Sequence, residues 1–277
     1  FLGVVVGAIT FVYLYDLYQE IKDDIDSVVN YNPKQSTQFF DKNGKLLANT
    51  FKDENREYVN YDDIPARVIE GLVAIEDTQF FEHFGVNPDA ISRAVIKNIQ
   101  SGGYSEGAST LTQQLIKVLL LSREKKIIRK VKEALLAIRL ETVLTKEEIL
   151  ERYLNHVYFG HGYYGVKTAA KGYFKKNLYE LTLKEIAILV GLPRAPSFYD
   201  PTKNLQVSLA RANQVITRMH TLGWINNEQF EESINETPTI YNQTLTQNIA
   251  PYAIDYAVSE LVNDIPDILY GGYKVYL

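Results

Sequence analysis

The sequence lacks cysteine altogether, and it has no excess of basic residues. Without cysteine the chain can form neither disulfides nor thiolate metal sites, and it fits a cytosolic and an oxidising compartment equally well. A net charge of -5 gives no general argument for binding nucleic acid, although local basic clusters could still bind phosphates. The four histidines show no metal-site spacing, and the chain has no internal repeat. These absences leave a globular protein with one sizeable core or two lobes around a cleft.

The opening run, FLGVVVGAITFVYLY, carries no charge and ends in a cluster of aromatic residues. This pattern is typical of a membrane anchor with an interfacial aromatic belt, and we predict a transmembrane helix over residues 1–18. A cleaved signal peptide is disfavoured because no small-residue cleavage site ends the run. A buried helix is disfavoured because charged residues follow from Asp16 onward. Residues 19–38 are predicted to form a polar stalk in which Asn30, Asn32 and Pro33 interrupt any helix.

Helical periodicity dominates residues 64–235 and predicts a mainly α fold. The predicted helices cover residues 65–84, 88–100, 110–121, 127–144, 146–155, 165–174, 183–192, 205–222 and 227–234. Before them, TQFFDKNGKLLANTF predicts a β-hairpin that turns at Asn43 and Gly44. After a polar break, APYAIDYAVSELVNDI predicts a further helix, and YGGYKVYL predicts a strand that enters a structure absent from this chain.

The segment VIEGLVAIEDTQFFEHFG places a carboxylate where an apolar side chain is expected. Read as a helix, it aligns Ile69, Leu72 and Phe80 on one apolar stripe with Glu76 in the middle. An ionised carboxylate on such a face loses hydration, so Glu76 is either paired or held in a cleft with a raised pKa and a chemical task. His83 lies one turn beyond Phe80, and a lone histidine there is more often a hydrogen-bonded structural residue than a catalyst.

A second informative segment is SGGYSEGASTLTQQLIK. Its glycines predict a loop over residues 101–107, and Thr110 with Gln113 predicts a capping box that opens a helix. Free amides at that helix start would attract a phosphate. On the helix, Thr110, Gln114 and Lys117 form a polar stripe, for which a solvated face is the commoner explanation.

The third segment is REKKIIRKVKEALLAIRLE, a helix that we expect to be covered on two sides. Arg129 and Glu133, four residues apart, share a face with Leu136 and Leu140. Such a pair is usually a surface salt bridge of little energetic value, but on a covered helix it favours an organised site. The surrounding cations would suit a multiply charged anion such as pyrophosphate, although a solvated face accounts for some of them. These cations are Arg123, Lys125, Lys126, Lys130 and Lys132.

Taken together, these segments resemble the peptidoglycan glycosyltransferase domain of class A penicillin-binding proteins. The motifs EDTQFFEHFG, GASTLTQQ, RKVKE, ILERYLN and GLPRAPSFYDP occur in the order of that family. The resemblance extends over roughly residues 39–240, and five motifs in order are far more specific than one short pattern.

The resemblance implies a mainly α, lysozyme-like bilobal fold with a small β-hairpin region. It places the glycosyltransferase domain at residues 39–242 and the start of a linker toward a transpeptidase domain at residues 243–277. That second domain is missing from the sequence, so the chain itself should not react with penicillins. The implied reaction is the polymerisation of lipid II on the outer face of the bacterial cytoplasmic membrane, with inversion to a β-1,4 bond.

The same resemblance implies which molecules and residues take part. The partners are lipid II, the growing glycan strand and membrane lipid, with other cell-wall synthesis proteins left open and no nucleic acid. No cofactor is required, and a divalent cation, Mg²⁺ or Mn²⁺, is left open at the pyrophosphate. The catalytic residues are Glu76 as general base and Glu133, which is expected to orient the cations and could stabilise charge on the reacting sugar. The substrate-binding residues are Asp77, Phe80, His83, Thr110, Gln114, Lys117, Arg129 and Lys130.

Two other readings remain open. A lytic transglycosylase shares the lysozyme-like fold and one catalytic glutamate, but it needs no pyrophosphate site, so Lys117 and the RKVKE motif argue against it. A membrane-anchored scaffold that binds cell-wall partners without catalysis gives no reason for Glu76 to lie among apolar residues. Incubation with lipid II and with finished glycan would distinguish the glycosyltransferase from these two alternatives.

Overall fold

The structure of the chain is a computed structural model in which most of the sequence is described. The described residues are 2–30, 34–51, 55–101, 107–120, 126–242 and 249–277. Several features predicted from the sequence lie outside them, namely residues 102–106 of the predicted loop, the cations Arg123 and Lys125, and residues 243–248 of the polar break.

The chain divides into two compact units, Phe1–Asn32 with Glu76–Arg152 and Pro33–Ile75 with Tyr153–Leu277. It is mainly helical, so the predicted fold class is confirmed at that level. The helices are α1 (Leu2–Ile21), α2 (Asp24–Val29), α3 (Ala66–Glu76), α4 (Pro88–Ser101), α5 (Leu111–Leu119), α6 (Lys126–Leu140), α7 (Lys146–His156), α8 (Val166–Phe174), α9 (Leu183–Gly191), α10 (Leu205–Thr221), α11 (Asn227–Asn235) and α12 (Pro251–Leu261). Short 3₁₀ turns form at Tyr61–Asp63 and Leu178–Glu180.

The first predicted helix is wrong in its length, because α3 ends at Glu76 and not near residue 84. Beyond Glu76 the backbone forms tight turns, in which the Phe80 amide donates to the Asp77 carbonyl and the Glu82 amide to the Gln79 carbonyl, each at 2.9 Å. Phe80 therefore does not continue the helical stripe that leads to Glu76.

The N-terminal segment is helical and partly buried within the first unit. α1 continues past Asp16 to Ile21, and both α1 and α2 contact α6. Leu17, Ile21, Ile25 and Val28 are buried. The predicted polar stalk is therefore wrong for this part, because apolar residues on the inner face of both helices pack into the unit.

The predicted transmembrane helix over residues 1–18 is not confirmed. Within the ranges that the structure describes, none of the helices combines the length and the apolar content that crossing a membrane requires.

The second unit contains the β-structure. Strands β1 (Thr37–Phe40) and β2 (Leu46–Thr50) form the predicted antiparallel hairpin, and β5 (Lys274–Tyr276) pairs in parallel with the other side of β1. A second small sheet pairs β3 (Asn55–Arg56) with β4 (Tyr163–Tyr164). The prediction for the last strand is wrong about its partner, because β5 joins the hairpin of this chain. Parallel pairing between residues so far apart in sequence leaves no local signal.

Helix α9 is the core helix of the second unit, because every residue from Lys184 to Gly191 is buried. The Nζ atom of Lys184 donates to the Asn213 side chain at 2.5 Å and to the Ser233 and Ile234 carbonyls at 3.1 Å each. Burial lowers the pKa of Lys184. These three bonds satisfy the buried amine and join α9 to α10 and to the end of α11.

The second unit also contains a buried arginine whose charge acts on a histidine. Arg56 is fully buried on β3. Burial, together with the charge of Arg56, lowers the pKa of His156 from 6.5 to about 3. The folded chain therefore holds His156 neutral over the whole mildly acidic range.

The stability of the fold in mild acid should depend on His156. The unfolded chain protonates this residue near pH 6.5 and the folded chain only near pH 3, so the stability present above pH 6.5 is lost as the pH falls toward 3. We lower the pH by about two units, starting at 6.5, the ordinary pKa of histidine. Over this range we expect the free energy of unfolding to fall by about 2 kcal/mol less in His156→Gln than in the unaltered chain. Urea unfolding at both pH values measures this. Equal losses in the two proteins would mean that His156 titrates alike in the folded and unfolded states.

Candidate active site

Glu76 is the last residue of α3 and is half-buried. The Nε2 atom of Gln114, on α5, donates to Glu76 Oε2 at 3.2 Å. The candidate general base thus lies where a helix ends, and it contacts the second motif directly. The sequence left two explanations for Glu76, a paired carboxylate or one held in a cleft with a raised pKa, and in the structure Gln114 is one hydrogen-bond partner.

Asp77 is buried and joins the first motif to the start of α5. Its Oδ2 atom accepts a hydrogen bond from the Leu111 amide at 3.0 Å, and His83 Nε2 lies 3.0 Å from the same oxygen. A carboxylate at a helix N-terminus is stabilised by the unpaired amides and by the helix dipole. Asp77 therefore attaches the chain after Glu76 to the first turn of α5, and His83 supports it from the other side.

The predicted capping box of α5 is confirmed, but the predicted phosphate site at this helix start is wrong. The Thr110 hydroxyl accepts from the Gln113 amide at 3.1 Å, and the Gln113 side chain accepts from the Thr110 amide at 3.0 Å. With Asp77 bound to the Leu111 amide, two of the first three helix amides are already occupied. Internal side chains therefore satisfy the donors that a phosphate would need.

Thr110 also holds the end of the first motif. Its hydroxyl donates to the Gly85 carbonyl at 2.6 Å, and the residue is almost completely buried. Gly85 has a φ of +78°, and a Cβ built there would lie 2.5 Å from the carbonyl carbon of Ala137 on α6. The first motif thus ends on a glycine that lets its backbone touch the helix of the third motif. The predicted contact of Thr110 with substrate stays a prediction.

The third motif places a fully buried carboxylate between two cations. Glu133 has no exposed side-chain surface, and it lies 3.1 Å from Arg129 Nε and 2.6 Å from Lys130 Nζ. The Arg129 contact is an ion pair without hydrogen-bond alignment, since neither Arg129 Nε nor Glu133 Oε1 has a hydrogen-bond partner among the described residues. Lys130 also donates to the Ser109 hydroxyl at 2.8 Å. The arrangement fits an organised ionic site and not a solvated salt bridge.

Helices α5 and α6 bury only part of their apolar surface. Leu111 and Leu115 on α5 are buried, as are Leu136 and Leu140 on α6. In contrast, Val118 on α5 and Ile138 on α6 are both more than 40% exposed, so each of these helices leaves an apolar flank uncovered. Lys117 is exposed in the last turn of α5.

Within the first unit, residues 109–114 of the second motif contact both the first and the third motif. Ser109 contacts Lys130, the Leu111 amide contacts Asp77, and Gln114 contacts Glu76. The base candidate and the cation candidates are therefore attached to the same support. The fourth motif contributes differently, because its Asn155 lies in the second unit and forms two hydrogen bonds with the backbone of Val59, at 2.7 and 2.8 Å.

The fifth motif contains Asp200, which is fully buried in the second unit. Its Oδ1 atom accepts from the amide and the hydroxyl of Thr202, at 2.9 and 2.6 Å. Burial, with the Asp200 charge as a second cause, raises the pKa of Tyr163 to about 12. Asn155 and Asp200 thus fix backbone geometry in the second unit.

No group of three or more His, Asp or Glu side chains that could hold a metal ion occurs in the described part of the chain. The divalent cation left open at the pyrophosphate stays a prediction.

Sequence reasoning missed a group of three residues beside the first motif: Thr112, Glu141 and Lys146. The Thr112 hydroxyl donates to Glu141 at 2.5 Å, and Lys146 Nζ donates to Glu141 at 2.7 Å and to the His83 carbonyl at 2.7 Å. One signal was present in the sequence, because Lys146 is a cation at the start of a helix, where the dipole disfavours it.

Comparison with known proteins identifies the family of the chain. Residues 43–220 match the family model described as "Transglycosylase", which is more than half of the chain. The chain therefore belongs to the transglycosylase family, and the family recognised from the five motifs is confirmed.

Its relatives carry the names of penicillin-binding proteins. The chain is 40% identical to penicillin-binding protein 1A of Aquifex aeolicus over 99% of its own length and 38% of that protein. For the Escherichia coli protein of the same name the identity is 38%, over 95% of this chain and 31% of that one. The chain thus spans about a third of the length of these relatives. A crystal structure of penicillin-binding protein 1A from Haemophilus influenzae aligns with 88% of this chain and 27% of its own, at 26% identity and a TM-score of 0.49.

Replacing Gly85 with alanine should disturb the contact between the first motif and α6. The new Cβ would overlap the Ala137 backbone, whereas a Cβ at Gly44, which has nearly the same φ of +80°, meets no atom within 4 Å. We expect Gly44→Ala to cost about 1 kcal/mol from left-handed backbone strain, and Gly85→Ala to cost about 3 kcal/mol or more because overpacking adds to that strain. Chemical unfolding of the two variants measures the difference. Equal costs would show that the turn can move away from α6 freely.

Proposed function

We propose that this chain is a peptidoglycan glycosyltransferase that polymerises lipid II into glycan strands and releases undecaprenyl pyrophosphate. The observation that carries the proposal is the attachment of Glu76 and of the Arg129–Glu133–Lys130 cluster to one support, Ser109 to Gln114. Glycosyl transfer from a pyrophosphate needs both a base for the attacking hydroxyl and cations for the leaving group.

In the proposed reaction, Glu76 accepts the proton of the 4-hydroxyl of the acceptor sugar as that oxygen attacks the anomeric carbon of the donor. The bond from this carbon to the pyrophosphate oxygen breaks, and its electron pair leaves with the lipid pyrophosphate. Attack opposite an α-linked leaving group produces the β-1,4 bond. The position of Glu76 at the C-terminus of α3 supports its role as a proton acceptor, because the negative end of the helix dipole favours proton uptake.

Arg129 and Lys130 offset the charge that develops on the departing pyrophosphate, and exposed Lys117 adds a third cation. Glu133 holds the first two side chains in place and is the positioning member of the cluster. Its buried oxygens face both cations, so a divalent ion at the pyrophosphate would be held chiefly by the phosphates of the substrate. In this proposal Gln114 orients the carboxylate of Glu76.

The lytic transglycosylase alternative accounts for less of the site. Cleavage of finished glycan expels no pyrophosphate, so it gives no reason for a buried Glu133 to hold two cations. A non-catalytic scaffold accounts for neither the cations nor the contact between Gln114 and Glu76.

We also propose that the domain works against the outer face of the bacterial cytoplasmic membrane, where lipid II keeps its undecaprenyl chain. The support is α4, of which only Ala94 is buried, while Ile91, Val95 and Ile99 form an exposed apolar stripe. Such a helix suits insertion into the interfacial layer of a bilayer. The exposed Phe11 of α1 and its apolar neighbours are proposed to share this contact as the N-terminal anchor.

Glu76→Gln should leave the fold intact and remove nearly all polymerisation, because the amide keeps the shape of the side chain but cannot take the proton. Glu70→Gln is the matched control on the same helix, since Glu70 pairs with Arg67 on a partly exposed surface. The assay is the conversion of labelled lipid II to glycan in detergent, run beside an assay with finished glycan. Near-normal turnover by folded Glu76→Gln would refute the base assignment, and cleavage of finished glycan in place of polymerisation would favour the lytic alternative.

The double substitution Val95→Asp with Ile99→Asp should weaken binding to vesicles that contain anionic lipid, because charge in the apolar stripe of α4 opposes insertion. Turnover should fall more on membrane-embedded lipid II than on a short-chain, water-soluble analogue. Tyr252→Asp is the control, because Tyr252 is 90% exposed on α12. Flotation and turnover are measured on the unaltered chain, the double variant and Tyr252→Asp. Unchanged flotation of the double variant would exclude α4 as the membrane contact.

A further inference from the structure

A single lysine connects the start of α7 to the turn that follows Glu76. Lys146 Nζ donates to the His83 carbonyl and to Glu141 Oε2, at 2.7 Å in both cases, and it lies 4.4 Å from the centroid of the Phe80 ring. Its side chain is 19% exposed and that of Glu141 is 2% exposed. The amine therefore has three partners in a largely dry site, and two of them belong to the first motif.

Glu141 extends this connection to α5. Its second oxygen, Oε1, accepts from the Thr112 hydroxyl at 2.5 Å, and Thr112 is fully buried one residue after Leu111. A buried carboxylate that binds a lysine and a hydroxyl at once holds both donors in one geometry. The pair of Lys146 and Glu141 thus ties the first motif to the first turn of α5.

The residues of the first motif pass this constraint toward Glu76. Lys146 holds the backbone of His83, and the imidazole of His83 contacts the carboxylate of Asp77, which accepts from the Leu111 amide. Asp77 is the residue directly after Glu76. A displacement of the turn would therefore move the backbone that carries the base.

We propose that Lys146, paired with Glu141, is a positioning residue that sets the orientation of Glu76 for proton transfer. This inference rests on the proposed glycosyltransferase function. Lys146 touches no reacting atom in this account and acts through His83 and Asp77. Because proton transfer tolerates little misplacement, loss of this support should lower kcat while leaving KM nearly unchanged.

The test separates positioning from mere stabilisation with three variants of the full chain. Lys146→Met keeps the methylene chain over Phe80 but removes the donor and leaves Glu141 buried without its cation. Adding Glu141→Gln removes that buried charge and keeps an acceptor for Thr112, so the double variant should regain most of the lost melting temperature. Lys171→Met, which breaks the Lys171–Glu57 ion pair of the second unit, is the control for losing a partly buried pair.

We expect kcat to fall by about 10–100-fold in Lys146→Met and in the double variant, with KM within about twofold of the unaltered chain. Lys171→Met should lower the melting temperature without this loss of kcat. Recovery of kcat together with the melting temperature in the double variant would overturn the proposal, because the role would then be structural only.

A second readout does not depend on activity. Hydrogen exchange of the Phe80, Glu82 and His83 amides, which are bonded within the turn, should be faster in Lys146→Met and unchanged in Lys171→Met. Unchanged exchange and unchanged kcat in Lys146→Met would overturn the positioning role while the proposed function stands. If the unaltered chain makes no glycan, the proposed function fails, and faster exchange would still support Lys146 as the residue that holds the turn.

Discussion

The buried carboxylate of Asp77 is the interaction on which the rest of the candidate site depends. It accepts from the Leu111 amide at the start of α5 and contacts the imidazole of His83. By accepting from the first amide of α5, Asp77 directs the chain away from α3 directly after Glu76, the last residue of that helix. Glu76 consequently lies at a helix end within reach of Gln114, and not on a continuous helical face.

A second buried carboxylate plays a comparable part for the cations. Glu133 has no exposed surface, so its charge needs compensation from Arg129 and Lys130. Because these residues are spaced three and four apart on α6, one carboxylate can hold both side chains. Their position depends in turn on α1 and α2, which contact α6 and bury apolar residues such as Ile21 and Ile25. The segment expected to be a polar stalk is therefore part of the framework that carries the cations.

Local features were predicted correctly where neighbouring residues suffice to produce them. Thr110 and Gln113 cap α5 because each side chain bonds the backbone of the other. Asn43 and Gly44 turn the hairpin because glycine accepts a positive φ. The first helix was predicted too long because the apolar period continues through Phe80. The interaction that ends it, between Asp77 and Leu111, joins residues that are distant in the sequence.

The sequence by itself determined the mainly α class, the family, and the residues that the family motifs single out, because these depend on local periodicity and on five ordered motifs. Only the tertiary structure decided how those residues are held: Glu76 by Gln114, Glu133 between its two cations, and His83 by Lys146. It also decided that β5 pairs with β1. Each of these depends on which distant segments meet, and a side chain's partner across the fold leaves no mark in the residues beside it.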